Sequence, residues 1–228
     1  MYKQQKILGV LSMLVALLLG TAACSGTSPE EKIYNTLEEV VSLETDFEEQ
    51  QEPLTGLELK DKELFDQIIS LSMDDFDQIV TLSNEALNVV AKREEHLKNE
   101  YESIEAGKKH FETILSITDS MKDEDLKKSA TALFELMNER YTVYEDLHQR
   151  YVQSLSLDKE LYEMLQIEDL PLEQLESHIT KINESYTNVM DTNEKFNQLT
   201  NEFNESKLSF YNNAGFEIEH SDDSNVSE

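Results

Sequence analysis

The sequence predicts an all-α protein: an elongated antiparallel up-and-down helical bundle, with three long helices, a broken first helix and coiled-coil-like packing. Three observations carry that expectation. Apolar residues return every seven places over long stretches, the interruptions are short and hold proline or capping acids, and no segment alternates with period two. Composition agrees. The 228 residues include only three Pro and six Gly, and the hydrophobic share of 39% falls below the roughly 45–50% usual for compact domains. With 19 Lys+Arg against 48 Asp+Glu, the formal net charge is −29, which argues against nucleic acid as a partner. One cysteine can build neither an intramolecular disulfide framework nor a cysteine-type zinc site.

The bundle is expected over residues 30–213. Pro29 followed by Glu30 and Glu31 starts a helix, because proline tolerates the first turn and acids suit its positive end. Ile33, Leu37, Val40, Phe47 and Leu54 form its apolar seam, with Glu44 and Gln51 in two of the slots. Pro53 should end this run, since it lacks an amide donor and clashes with the preceding turn, and Pro53 to Leu59 with Gly56 should be irregular. A shorter helix then spans about Lys60 to Leu71, with Leu64, Ile68 and Leu71 on one side.

Ser72 and Asp75 have the spacing of a capping box, and a single helix should run from there to about Met121. Its seam reads Phe76, Val80, Ser83, Leu87, Val90, Glu94, Leu97, Tyr101, Ile104, Lys108, Phe111, Leu115 and Thr118. After capping acids at Lys122 to Glu124, the next seam passes from Leu126 through Leu133, Arg140, Tyr144, Tyr151 and Asp158 to Leu165. Glu168 to Pro171 makes the last break, and a final seam runs from Leu172 through Tyr186, Phe196 and Phe203 to Phe210. Such brief connections force antiparallel neighbours.

The ends have a different character. Lys3 and Lys6 precede an apolar run from Ile7 to Leu19 and a small-residue stretch that closes on Ala22, Ala23 and Cys24. That order describes an export signal over residues 1–23, with Cys24 placed for thioether lipidation and cleavage on its amino side. The alternative is an ordinary secretory signal cut after Ala23, or an uncleaved anchor. Residues 24–29 read as the lipidated cysteine and a tether, and 214–228 as a disordered acidic tail. The mature chain would sit on the outer face of the cytoplasmic membrane, held through lipid on Cys24 and facing the wall. Its acidic body would stand off anionic lipid.

Three blocks resemble the YkyA-like cell-wall-binding lipoprotein family of Firmicutes: Phe47-Glu-Glu-Gln-Gln-Glu-Pro-Leu54, Leu157-Asp-Lys-Glu-Leu-Tyr-Glu-Met-Leu-Gln166 and Lys181-Ile-Asn-Glu-Ser-Tyr186. The resemblance runs from about the signal to Phe210. It implies a four-helical up-and-down bundle, lipid attachment outside the membrane and a wall-associated role, and it brings no catalytic residues and no cofactor.

Chemistry-bearing motifs are sparse. The sequence has no Gly-x-Ser-x-Gly and no phosphate-cradling glycine-rich loop. Glu145 and His148 form the one Glu-x-x-His spacing inside a helix, half of what a di-metal bundle site requires. Arg140, Tyr141, Tyr144 and Tyr151 could stack on sugars or bind a peptide, while the plainer reading puts Tyr144 and Tyr151 in core slots and pairs Arg140 with an acid. Polar residues in the seams, among them Glu94, Arg140 and Asp158, are expected where the incomplete fourth helix leaves the interior wet. The leading functional expectation is a non-enzymatic rod that contacts wall polymer or an envelope protein. A ligand or metal receptor at the seam near Tyr144 and His148 comes second, and a wall hydrolase third.

Overall fold

The computed structural model describes residues 27–217. Six α-helices follow in order: α1 (Pro29–Leu43), α2 (Thr45–Ile69), α3 (Phe76–Phe111), α4 (Ile114–Thr118), α5 (Glu124–Met164) and α6 (Leu172–Asn213), with a short 3-10 turn at Met73–Asp75 before α3. No strand occurs among the described residues. At 1.5 Å per residue, the 41 residues of α5 make a rod of about 60 Å. The all-α antiparallel bundle is therefore as the heptads predict.

Local chemistry accounts for most boundaries. The Ser28 hydroxyl accepts the Glu31 amide at 3.1 Å with Pro29 behind it, starting α1. Ser72 and Asp75 form the reciprocal capping box before α3, and the Asp123 carboxylate accepts two amides at the start of α5.

The break in the first helix is displaced from its expected place. Pro53 and Gly56 lie inside a continuous α2, and the chain bends at Glu44 instead. Pro53 and Glu49 are both exposed, so water can satisfy the Glu49 carbonyl that the proline deprives of its amide. At the actual bend, the Ser103 hydroxyl of α3 donates to the Leu43 carbonyl at 2.8 Å and accepts the Phe47 amide at 3.1 Å. Those two backbone groups would bond each other in an unbroken helix. The third-helix expectation is corrected at its far end too. A tightened turn, in which the Thr113 amide donates to the His110 carbonyl, rotates the face so that Ile114 is buried and Leu115 is half exposed.

Two apolar cores lie along the rod. The first gathers α1, α4, the end of α3, the start of α5 and the end of α6 around Ile33, Leu37, Phe111, Leu133, Phe203 and Phe210. The second gathers α2, the start of α3 and the end of α5 around Leu64, Ile68, Ala86, Val90 and Leu155, with Tyr186 and Val189 of α6 packed on it. On α5 the predicted seam holds, with Ala130, Leu133, Met137, Arg140, Tyr144, Tyr151, Ser154, Asp158 and Leu161 all buried.

The chain stays folded past Asn213. Gly215 takes φ 81°, the Phe216 amide donates back to the Tyr211 carbonyl at 3.0 Å, and the Phe216 ring lies 4.7 Å from that of Tyr34. The expected start of the tail at residue 214 is thus too early. The leader 1–23, Cys24 and residues 218–228 lie outside the described residues. Among those described, no helix is long and apolar enough to cross a membrane.

Candidate functional site

Between and within the two cores the bundle buries charge. Arg140, 5% exposed, grips Glu44 of the bend with both terminal nitrogens, Nη2 to Oε2 at 2.9 Å and Nη1 to Oε1 at 3.1 Å. Its Nε donates to Thr200 Oγ1 of α6 at 3.0 Å, and its guanidinium lies 4.8 Å from the Phe196 ring centre. Tyr141 donates to Glu44 Oε1 at 2.8 Å, and burial together with that carboxylate raises the phenol's pKa far above its usual value. Glu44 can enter because residue 107 is glycine.

A second cluster centres on Arg93, 1% exposed. Its Nη1 donates to Asp61 Oδ2 of α2 at 3.0 Å and to Asp158 Oδ2 of α5 at 3.1 Å. Its Nη2 donates to Tyr186 of α6 at 2.7 Å and Tyr151 of α5 at 3.2 Å. Tyr186 in turn donates to Asp158, Tyr151 to Glu58, and Tyr162 to Asp61. One guanidinium therefore ties four helices. Burial raises the Asp158 carboxyl, and the Tyr186 hydrogen bond and Arg93 only partly offset it, leaving it at about 6.

The sequence-predicted residues do not converge on one face. Arg140 and Tyr141 belong to the Glu44 cluster and Tyr151 to the Arg93 cluster. Tyr144 lies between, against Phe47 and Phe196, with its hydroxyl buried and unpartnered. Glu145 pairs with Lys108 of α3, and His148 rests against Tyr101 at 4.4 Å, its pKa lowered by burial. No group of three or more His, Cys, Asp or Glu side chains poised to hold a metal occurs among the described residues. The expected wet seam is corrected at Arg140 and Asp158, which are dry and paired, and Glu94 points out to solvent.

Arg93, Glu100 and Gly107 escape the sequence reading because α3 packs on both α2 and α5. Its buried residues are Ile79, Ser83, Ala86, Val89, Val90, Arg93, Leu97, Glu100, Ser103, Ile104, Gly107 and Phe111. About half the predicted seam sits one residue late: Val80, Leu87, Glu94, Tyr101 and Lys108 follow the residues actually buried, Ile79, Ala86, Arg93, Glu100 and Gly107. A wider stripe, tested one residue to either side, would have recovered them.

Two open surface grooves flank α5. One, between α3 and α5, is lined by Leu97, Tyr101, His148 and Val152, and the other, between α5 and α6, by Arg150, Gln153, Leu157, Lys181, Glu184 and Asn188. Residues of the three blocks that carry the family resemblance turn inward. Gln51 of the first donates to buried Glu100, Asp158 of the second and Tyr186 of the third bond Arg93, and Tyr162 of the second donates to Asp61.

Comparison with known proteins shows the family and the fold. The family model YkyA, described as "Putative cell-wall binding lipoprotein", matches residues 28–213. The uncharacterized lipoprotein YkyA of Bacillus subtilis (strain 168) is 35% identical over 206 residues, covering 90% of this chain and 92% of its own. A crystal structure of a conserved Staphylococcus aureus protein of unknown function shares the fold, with a TM-score of 0.60 at 16% identity, covering 84% of this chain and 98% of the other.

Proposed function

The chain belongs to the YkyA lipoprotein family, and from that premise we propose that it is a membrane-tethered, non-enzymatic rod that binds wall material or an envelope protein outside the cell. Lipid on Cys24 anchors it at the outer face of the cytoplasmic membrane, and the helices stand away from the bilayer toward the wall. The carrying observation is that the side chains best suited to chemistry are closed on one another. Each of the two buried arginines is neutralised by a carboxylate from another helix, and their tyrosines face the same acids. Such networks fix the register of a rod rather than present a reactive group to a substrate. The acidic exterior keeps the rod soluble and repels anionic lipid.

Cosedimentation of the purified protein with isolated sacculi tests this reading, paired with crosslinking in living cells. Retention on sacculi, or one reproducible envelope crosslink mapped to the helices, supports it; neither would end it.

A receptor at the α3–α5 groove is the second reading, favoured by His148, Tyr101 and Val152 lining one open surface. A ligand-induced thermal shift weakened by His148→Ala would move the function there.

A further inference from the structure

The groove between α5 and α6 departs from the charge of the molecule around it. The whole chain has 19 cationic residues against 48 acidic ones, whereas this groove is lined by Arg150 and Lys181 against the single acid Glu184. The amides of Gln153 and Asn188 stand beside them. Asp146 pairs with Arg150 through the Nε–H, at 2.9 Å, and no side chain among the described residues takes its terminal nitrogens. At the base, Ser154 is fully buried and its hydroxyl meets that of Ser185 at 2.7 Å, so two small residues hold the helices close beneath longer polar walls.

The same helical turns serve the interior. Asp158 and Tyr186 reach Arg93, while their neighbours Leu157, Lys181, Glu184 and Ser185 face the groove, and all lie in two of the family-resemblance blocks. The Arg93 cluster thus sets the helix register that aligns the groove's two walls.

We infer that the α5–α6 groove binds a short peptide with a free carboxylate and an amine, the chemistry of the cross-linking peptides of a bacterial wall, which rests on the wall-binding reading above. Arg150 and Lys181 take the carboxylate, Glu184 the amine, and Gln153 and Asn188 the peptide amides. A polyphosphate wall polymer would meet the repulsion of a −29 chain at every repeat. A bare glycan strand would need an aromatic stacking surface, and this groove is lined without one.

The test is an NMR titration of the detergent-solubilised lipoprotein with a synthetic wall stem tetrapeptide carrying a free carboxylate. Its C-terminal amide and polyglycerol phosphate are run alongside. Backbone shifts should concentrate at Gln153, Leu157, Lys181, Ser185 and Asn188. Arg150→Gln, Lys181→Gln and the amidated peptide should each weaken binding about tenfold, as expected for one lost charge-assisted hydrogen bond. The inference is overturned by no shifts at these residues, by equal affinity in either variant, or by polyglycerol phosphate binding there as tightly. Sacculus binding separates the two claims. If the wild type sediments with sacculi and the groove variants do so equally, this site is wrong while wall binding stands; if the wild type does not, the wall-binding reading itself fails.

Discussion

The Glu44 side chain fills the space that a β-carbon on Gly107 would occupy: such a carbon would lie 2.9 Å from Glu44 Cγ and 2.9 Å from its Oε1. Helix propensity alone favours Gly107→Ala by about 1 kcal/mol. Here the methyl should push Glu44 off Arg140, leaving a buried guanidinium short of its carboxylate, which costs about 3–5 kcal/mol. The expected net result is a loss of about 2–4 kcal/mol in urea unfolding. A stabilised variant would mean that the bend tolerates a displaced Glu44.

Arg93 pairs with Asp61 and Asp158 at once, so Arg93→Met should destabilise the second core by about 3–5 kcal/mol. Adding Asp158→Asn to that variant should recover part of the loss, because one of the stranded carboxylates is then gone. A double-mutant cycle measures this directly. Simple additivity of the two substitutions would show that the pair is not coupled.

These two clusters also mark how far the sequence was legible. Heptad spacing located α5 and placed Arg140 and Asp158 in its seam, though as wet positions, and left the buried Val143, Leu155 and Tyr162 outside that seam. It failed on α3, which packs on α1, α2 and α5, and where Arg93 and Glu100 are buried beside the expected Glu94 and Tyr101. It failed again at the first bend. Proline is a local signal, but the bend is set by Ser103, a residue 60 positions from Leu43 that no local rule connects to it.

That displacement makes Pro53 a test. An interior proline costs a helix about 3 kcal/mol, and α2 carries this one inside a continuous run with its ring exposed. Pro53→Ala should raise stability by about 1–3 kcal/mol, the gain being reduced by greater freedom of the unfolded chain. A loss in thermal melts would assign Pro53 a role in shaping α2.

Burial pushes the Glu100 carboxyl up to about 8 from 4.5, with the Gln51 amide of α2 pulling it down and Glu58 raising it further. Tyr144 of α5 faces it as an uncharged phenol, its pKa raised by its own burial and by that carboxylate. A carboxyl whose folded pKa is raised binds its proton more tightly in the folded chain. Its stabilisation is full below about 4.5 and is lost as pH climbs through about 8. Stability should therefore fall across that window, by up to about 1.4 kcal/mol per pH unit from this group. Asp158, at about 6, adds to the lower part of the slope. Glu100→Gln should flatten the profile above pH 6, measured by urea midpoints at fixed ionic strength. An unchanged slope would place the titration elsewhere.

Anchoring depends on the stretch before the helices. The apolar run from Ile7 to Leu19 is 13 residues long, short of the roughly 20 needed to cross a bilayer core. Charge gives no help, since a −29 chain is repelled by anionic lipid. Fatty chains on Cys24 would supply the hold, at about 0.8 kcal/mol per buried methylene. Cys24→Ala should consequently leave an uncleaved precursor or release the protein to the medium, and a high-salt wash should not strip the wild type from membranes. Unchanged processing and membrane retention in Cys24→Ala would point to cleavage after Ala23 or to an uncleaved anchor, and would remove the lipid from the mechanism.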